Sequence, residues 1–98
     1  MLGHMVYFTL KDASPAAIDK LIADARHYLA GHPGTVFFAV GRLVPDLTRP
    51  VNQTDFHVAL QIVFADRKAH DDYQVHPRHV SAMAEVPPAV VWFVEPLG

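Results

Sequence analysis

The sequence has no cysteine among its 98 residues. Disulfide bridges, thiolate metal ligands and a cysteine nucleophile are therefore excluded. Long apolar runs are missing too, since no stretch approaches the roughly 18 residues that span a bilayer. The first residues also lack the positive region and apolar run of a signal peptide. These absences lead us to expect a cytoplasmic protein that does not enter a membrane.

Charge is scarce as well. Charged residues make up 18% of the chain and the formal net charge is −2, whereas ordinary soluble domains are about 25% charged. The lysines and arginines are scattered along the chain and form no stripe. A nucleic-acid-binding protein carries a clustered basic surface, so we expect no nucleic-acid partner.

Apolar residues, in contrast, are abundant. They make up 51% of the sequence, and we expect one domain spanning residues 1–98. A domain of this size buries only about 60–65% of the surface that its unfolded chain exposes. The surplus apolar surface is most readily buried between subunits, which favours a homodimer.

Hydrophobic periodicity predicts the order β-α-β-β-α-β, with the second helix broken in two. Alternating residues indicate strands, and apolar residues at three-and-four spacing indicate helices. Ser14 and Asp66 are suited to cap helices, and Pro15 and Pro77 to begin them. The predicted elements are strands over 4–11, 35–44, 56–64 and 90–95, a helix from Pro15 to Leu29, a short helix up to Val75, and a further piece from Pro77 to Val86. This is an α+β, ferredoxin-like arrangement with a four-stranded antiparallel sheet.

The two faces of the predicted sheet differ in what should cover them. His4, Val6 and Phe8 lie on the face that the helices cover. The opposite face is also apolar, through Met5, Tyr7, Val63, either Phe37 or Phe38, and either Trp92 or Phe93. Water covers such a surface at a cost of about 25 cal/mol per Å², so a second sheet is the better partner. Two sheets packed in this way form a dimeric α/β barrel.

Several strings resemble the stress-responsive A/B barrel (Dabb) family over essentially the whole chain. The most specific is the segment from Tyr73 to His79, which matches the family's Tyr-x-x-His-Pro-x-His signature. Further matching strings lie at residues 4–12, 33–36, 40–42 and 55–56. The resemblance implies a dimeric barrel with a small cavity between the sheet and the helices of each subunit. Most members of the family have no established reaction.

One plant member of the family closes a linear polyketide without a cofactor. The resemblance carries its tyrosine and histidines onto Tyr73, His79 and His4 of this sequence. A further histidine of that enzyme corresponds to Val58 here. The neighbouring His57 belongs to the opposite sheet face and is not carried over, so this chain departs from the enzyme's pattern.

The residues themselves support an acid–base hypothesis without a cofactor. A neutral imidazole beside a phenol can remove a proton near neutral pH. We therefore assign His79 as general base, Tyr73 as orienting donor and His4 as a second polar contact. The ligand would be a small apolar carbonyl or phenolic compound. Its other predicted contacts are Val6, Phe8, Tyr28, His76 and Met83.

Structural roles explain the same side chains. His76 can cap the helix that begins at Pro77, His79 can bond a carbonyl, and Tyr73 can be a core residue with a satisfied hydroxyl. His76 and His79 have a spacing that can bind zinc, but a proline separates them and no third ligand follows, so we expect no metal. The remaining histidines of the helices and the turn, His27, His32 and His70, are expected to be solvated.

Two functions from different classes therefore remain open. The first is the ligand-binding, acid–base barrel. The second is a non-catalytic dimeric or oligomeric module related to stress, whose cavity is residual. A third and weaker alternative is a cofactor-free monooxygenase, or a haem-degrading protein, of the wider dimeric-barrel group.

Overall fold

A computed structural model describes residues 1–82 and 87–96 of the chain. Within these ranges four strands and three helices form a ferredoxin-like α+β fold. In chain order the elements are β1 (Leu2–Phe8), α1 (Pro15–Leu29), β2 (Thr35–Arg42), β3 (Val58–Phe64), α2 (Arg67–Val75), α3 (Pro77–Ala82) and β4 (Ala89–Val94). None of the helices in the described ranges is long and apolar enough to cross a membrane.

The strands form one antiparallel sheet in the order β2-β3-β1-β4. An irregularity between Thr35 and Phe37 shifts the register of β2 against β3, so that Phe37 pairs with Val63. On the other side of the sheet centre, Met5 pairs with Trp92. Because side chains alternate along strands, the register places Phe37 and Trp92 on the face away from the helices, which we call the open face.

The helix-covered face of the sheet supplies most of the core. The β3 residues Val58, Leu60, Ile62 and Phe64 are at most 2% exposed. On β1, His4, Val6 and Phe8 are buried on the same face, as the alternation predicts. Ile22, Ala25 and Leu29 are the buried residues of α1. One face of α1 therefore packs against one face of the sheet.

Helix α1 begins and ends at defined hydrogen bonds. The Ser14 hydroxyl accepts a hydrogen bond from the amide of Ala17 at 3.3 Å, and proline follows it at the first helical position. At the other end the guanidinium of Arg78 donates to the carbonyls of His27 and Ala30. Helix C-terminal carbonyls lack intrahelical partners. Arg78 therefore ties α3 to the end of α1.

The break between α2 and α3 is built by the residues that predict it. Asp66 accepts a hydrogen bond from the amide of Ala69 at 2.8 Å and caps α2. At the break, His76 Nδ1 accepts a hydrogen bond from the amide of Arg78 at 3.1 Å. His76 therefore caps α3, which starts at Pro77 because proline has no amide to leave unpaired.

Six of the eight strand ends differ from the prediction by one to three residues, whereas the start at Thr35 and the end at Phe64 agree with it. Strand β1 stops at Phe8 because the next two residues bond to the loop before β3. The Thr9 hydroxyl donates to the Asp55 carbonyl at 3.0 Å, and the Leu10 amide donates to His57 Nδ1 at 2.9 Å. Strand β3 starts only at Val58, because the His57 side chain takes part in this loop contact. The predicted continuation of the third helix over residues 83–86 lies outside the described residues.

Strand β4 lies at the edge of the sheet and is exposed on both faces among the described residues. All six of its residues are exposed, including Trp92 at 59% and Phe93 at 53%. Within one copy of the described chain β4 therefore carries uncovered apolar surface, and the sequence pattern predicts that a second sheet covers the open face.

The turn after α1 provides a test of the packing. Gly31 and Gly34 both have positive φ, at 75° and 83°. A Cβ on Gly34 would collide with the Ala69 side chain, whereas a Cβ on Gly31 meets nothing within 4 Å. Left-handed backbone strains any L-residue by about 1–2 kcal/mol. Overpacking typically adds about 1–3 kcal/mol.

We therefore expect Gly34→Ala to lower the free energy of unfolding by about 2–5 kcal/mol. Gly31→Ala serves as the matched control and should lose only the backbone part, about 1–2 kcal/mol. Urea denaturation followed by circular dichroism measures both. Equal losses of unfolding free energy in the two variants would show that α2 does not pack closely against Gly34.

Candidate functional site

A cavity of about 310 Å³ lies between the helix-covered face of the sheet and the helices. It is bounded by β1, β3 and β4 on one side and by all three helices on the other. Its lining is mostly apolar, but it includes a polar group of side chains formed by His4, Tyr73 and His79. The lining residues are His4, Val6, Phe8, Leu29, Leu60, Tyr73, Gln74, His79, Ala89, Val91 and Phe93.

Tyr73 is the centre of the polar group. It lies near the end of α2 and is 2% exposed. Ring centroids of His79, His32, Phe64 and His4 lie 4.4, 4.9, 5.0 and 6.0 Å from its own. Its hydroxyl makes no hydrogen bond to the part of the chain that the structure describes. Burial raises the pKa of Tyr73 well above its usual value of 10.0, so the phenol stays protonated.

His4 reaches the cavity from β1. Its ring lies 5.1 Å from that of Phe93 and 5.5 Å from that of His70. Burial, with smaller contributions from the nearby His70 and His79, lowers the pKa of His4 to about 4. Its Nδ1 atom is buried and has no hydrogen-bond partner among the described residues. At neutral pH His4 is therefore an uncharged group in an apolar surrounding.

His79 reaches the same cavity from α3 and is 6% exposed. Burial lowers its pKa, a hydrogen bond to the Gln74 backbone opposes that shift, and the charges of His32 and His70 lower the pKa again. Its Nδ1 is also buried without a partner in the described ranges. An imidazole held neutral can act as a base, and the neighbouring phenol can act as a donor.

The structure corrects the prediction that His32 and His70 are solvated. His32 is 3% exposed and donates from Nε2 to the Tyr28 carbonyl at 2.7 Å. The His70 side chain is 13% exposed, and its ring contacts Phe64 at 5.6 Å and Phe93 at 5.2 Å. Of the three, only His27 is exposed. Local polarity misled the prediction because both rings are buried by distant parts of the chain.

The predicted ligand contacts divide into three groups. Val6 and Phe8 line the cavity together with the three predicted catalytic residues. Tyr28 and His76 do not belong to that lining: the Tyr28 ring packs on His27 at 4.5 Å, and the His76 ring packs on His32 at 4.7 Å. Met83 lies outside the described residues.

Six lining residues were missing from the predicted contacts. Leu29 and Leu60 belong to the apolar faces that periodicity assigned to the core, so that pattern could have identified them. Val91 and Phe93 become lining residues once the register of β4 is known, as does Ala89 at its start. The sequence did not predict that Gln74 lines the cavity, because a polar residue is common at any position of a mostly polar helix such as α2.

A larger depression of about 560 Å³ lies on the open face, around Met5, Tyr7, Phe56 and Trp92. It holds no histidine, and its one carboxylate is Asp55. Of these two depressions, only the smaller one is lined by both imidazoles and a phenol among the described residues, so it is the candidate site. No group of three or more histidine, aspartate or glutamate side chains among the described residues is placed to hold a metal ion.

The lowered pKa of His4 predicts an acid-sensitive fold. The unfolded chain binds the His4 proton near pH 6.5, whereas the folded chain binds it only near pH 4. Stability therefore falls as the pH drops between these values. From pH 7.5 to 4.5 we expect His4 alone to remove about 2–3 kcal/mol.

His4→Phe should lose correspondingly less stability over the same pH interval, as measured by urea denaturation at both pH values. His27→Phe is the matched control, because His27 is exposed on α1 and does not line the cavity. The same loss in wild type and His4→Phe would contradict a neutral, buried His4.

Comparison with known proteins identifies the family. The profile of the stress responsive A/B barrel domain (Dabb) matches residues 2–94. A Dabb family protein with a ferredoxin-like fold from Mesorhizobium loti is 30% identical, with a TM-score of 0.78 and coverage of 99% of this chain and 97% of that one. No functionally curated protein matches significantly.

More distant structures share the fold alone. A dimeric ferredoxin-like protein of unknown function from Thermobifida fusca is 18% identical with a TM-score of 0.75, covering 95% of this chain and 88% of that one. SnoaB, a cofactor-independent oxygenase from Streptomyces nogalater that was solved as a mutant, is 17% identical with a TM-score of 0.68. The match covers 97% of this chain and 91% of that one. The profile match and the Mesorhizobium relative establish that the chain belongs to the stress-responsive A/B barrel (Dabb) family.

Proposed function

We propose that this Dabb protein is a homodimer whose subunits each bind a small apolar carbonyl or phenolic compound and perform acid–base chemistry on it without a cofactor. The observation that carries the proposal is the meeting of two neutral, buried imidazoles and one protonated phenol at a single, otherwise apolar cavity. Pockets of this composition are typical of small-molecule sites.

The open face supports the dimer. Its exposed apolar residues include Phe37 at 51% and Trp92 at 59%, with Val90 and Val94 beside Trp92 on β4. A contiguous apolar surface of this kind marks an interaction site. Structural neighbours from Thermobifida fusca, Jannaschia and Bacteroides fragilis are described as dimeric. Sheet-on-sheet packing would bury the same face here.

The unpaired nitrogens support ligand binding. A buried polar atom without a partner costs about 1–3 kcal/mol, and such atoms are uncommon in native structures outside functional or hydrated positions. Both His4 and His79 carry one, and both line the cavity. A ligand with polar groups near these rings would compensate for part of that cost.

The chemistry follows from the protonation states. The His79 imidazole accepts the proton from a carbon next to a ligand carbonyl; the C–H electron pair forms a carbon–carbon double bond, and the carbonyl π pair moves to the oxygen. The Tyr73 hydroxyl donates a hydrogen bond to the resulting enolate oxygen. His4 supplies a second polar contact. The mostly apolar lining lowers the local dielectric constant and so strengthens these hydrogen bonds.

Dimer formation through the open face is tested by Trp92→Asp. A carboxylate in the centre of an apolar interface would be buried unpaired, so we expect this variant to be monomeric where the wild-type protein is dimeric. Val75→Asp is the matched control, since Val75 is 74% exposed on α2 and away from the sheet. Light scattering coupled to size exclusion measures the mass. A dimeric Trp92→Asp variant, or a monomeric wild type, would contradict the proposed interface.

The acid–base role is tested by proton exchange at the central carbon of benzoylacetone in D₂O, followed by proton NMR. We expect the wild-type protein to accelerate exchange and His79→Ala to lose roughly 100-fold of that acceleration. Tyr73→Phe removes only a hydroxyl without a protein partner in the described ranges. It should therefore reduce exchange by roughly 100-fold as well while keeping its stability.

A catalytic role and a purely structural role of His79 and Tyr73 predict opposite results in this assay. If these residues are purely structural, His79→Ala lowers stability and no variant changes exchange, because the wild-type protein does not accelerate it either. That result would leave the non-catalytic dimeric module as the function. Arg26→Ala, an exposed α1 variant, controls for surface catalysis and should exchange at the wild-type rate.

A further inference from the structure

Among the described lining residues, Gln74 is the one polar residue besides His4, Tyr73 and His79. It follows Tyr73 on α2 and is half-buried. Its backbone forms a hydrogen bond with His79, so its main chain supports the proposed base. The orientation of its carboxamide depends on the neighbouring side chains of His70 and Asp71.

A chain of hydrogen bonds fixes the orientation of that carboxamide. The Asp71 carboxylate, which can only accept, lies 3.1 Å from His70 Nδ1, so Nδ1 carries the ring proton. Gln74 Nε2, an amide nitrogen that can only donate, lies 3.2 Å from His70 Nε2, so this ring nitrogen is the acceptor. The amide nitrogen of Gln74 is thereby turned toward His70.

Packing holds His70 in place for this role. Its ring contacts His4 on β1, Phe64 on β3 and Phe93 on β4, with centroid distances of 5.5, 5.6 and 5.2 Å. A ring that touches three strands has little freedom to turn. The carboxamide oxygen Oε1 of Gln74, in contrast, has no hydrogen-bond partner among the described residues.

We propose that Gln74 determines ligand specificity by accepting, at Oε1, a hydrogen bond from a hydroxyl group of the ligand, and that His70 and Asp71 position it. The inference rests on the proposed function, because it concerns the same cavity. Tyr73 offers a donor and Gln74 an acceptor. The ligand class that satisfies both is an aryl ketone with a free hydroxyl.

The test compares two probes that differ only in that hydroxyl, 4-hydroxyacetophenone and 4-methoxyacetophenone. Binding is measured by NMR titration of the full-length protein. The Gln74→Met variant keeps the length and helix propensity of the side chain but cannot accept the bond. We expect it to bind the hydroxyl probe roughly fivefold more weakly and the methoxy probe as wild type does.

The positioning role has its own readout, the ratio of the two affinities. His70→Phe keeps an aromatic ring against its three neighbours but offers no acceptor to Gln74. We expect the preference for the hydroxyl probe to fall in this variant while affinity for the methoxy probe is retained. A merely structural role would weaken binding of both probes equally.

The outcomes separate this inference from the proposed function. If the wild-type protein binds both probes and Gln74→Met changes both equally or neither, the assignment of Gln74 is wrong and the cavity proposal stands. If the wild-type protein binds neither probe, both proposals fail together.

Discussion

The packing of Tyr73 against the sheet is the contact on which the rest of this structure depends. Its ring lies against Phe64 below and against His32 and His79 at the sides. This contact fixes the break between α2 and α3 above the sheet, where His76 caps the following helix and Arg78 joins it to α1. The cavity exists because the broken helix is held there.

The same arrangement divides the two faces of the sheet by chemistry. The helix-covered face carries His4, Tyr73 and His79, and burial shifts the pKa of each toward its neutral form. The open face carries apolar side chains and no histidine at its depression. Such a division suits a protein that associates through one face and binds a ligand behind the other. It also explains why the smaller cavity is the better candidate site.

The sequence predicted much of this arrangement through local signals. Ser14, Asp66 and the two helix-starting prolines set the helix ends, and strict alternation assigned His4 to the helix-covered face. The burial of His32 and His70 escaped prediction because it depends on contacts between distant elements. Gln74 escaped for a similar reason: its orientation follows from His70 and Asp71, whose hydrogen-bond directions only the folded chain shows.

The most direct test of the account is where a ligand binds. In a methyl-detected ¹H–¹³C titration of the wild-type protein with benzoylacetone, we predict shifts at the methyl groups of Val6, Leu29 and Leu60, which line the cavity behind the sheet. Met5 and Val90, at the open-face depression, should not respond. Shifts confined to Met5 and Val90 would contradict the account, because the ligand would then occupy the wrong face of the sheet.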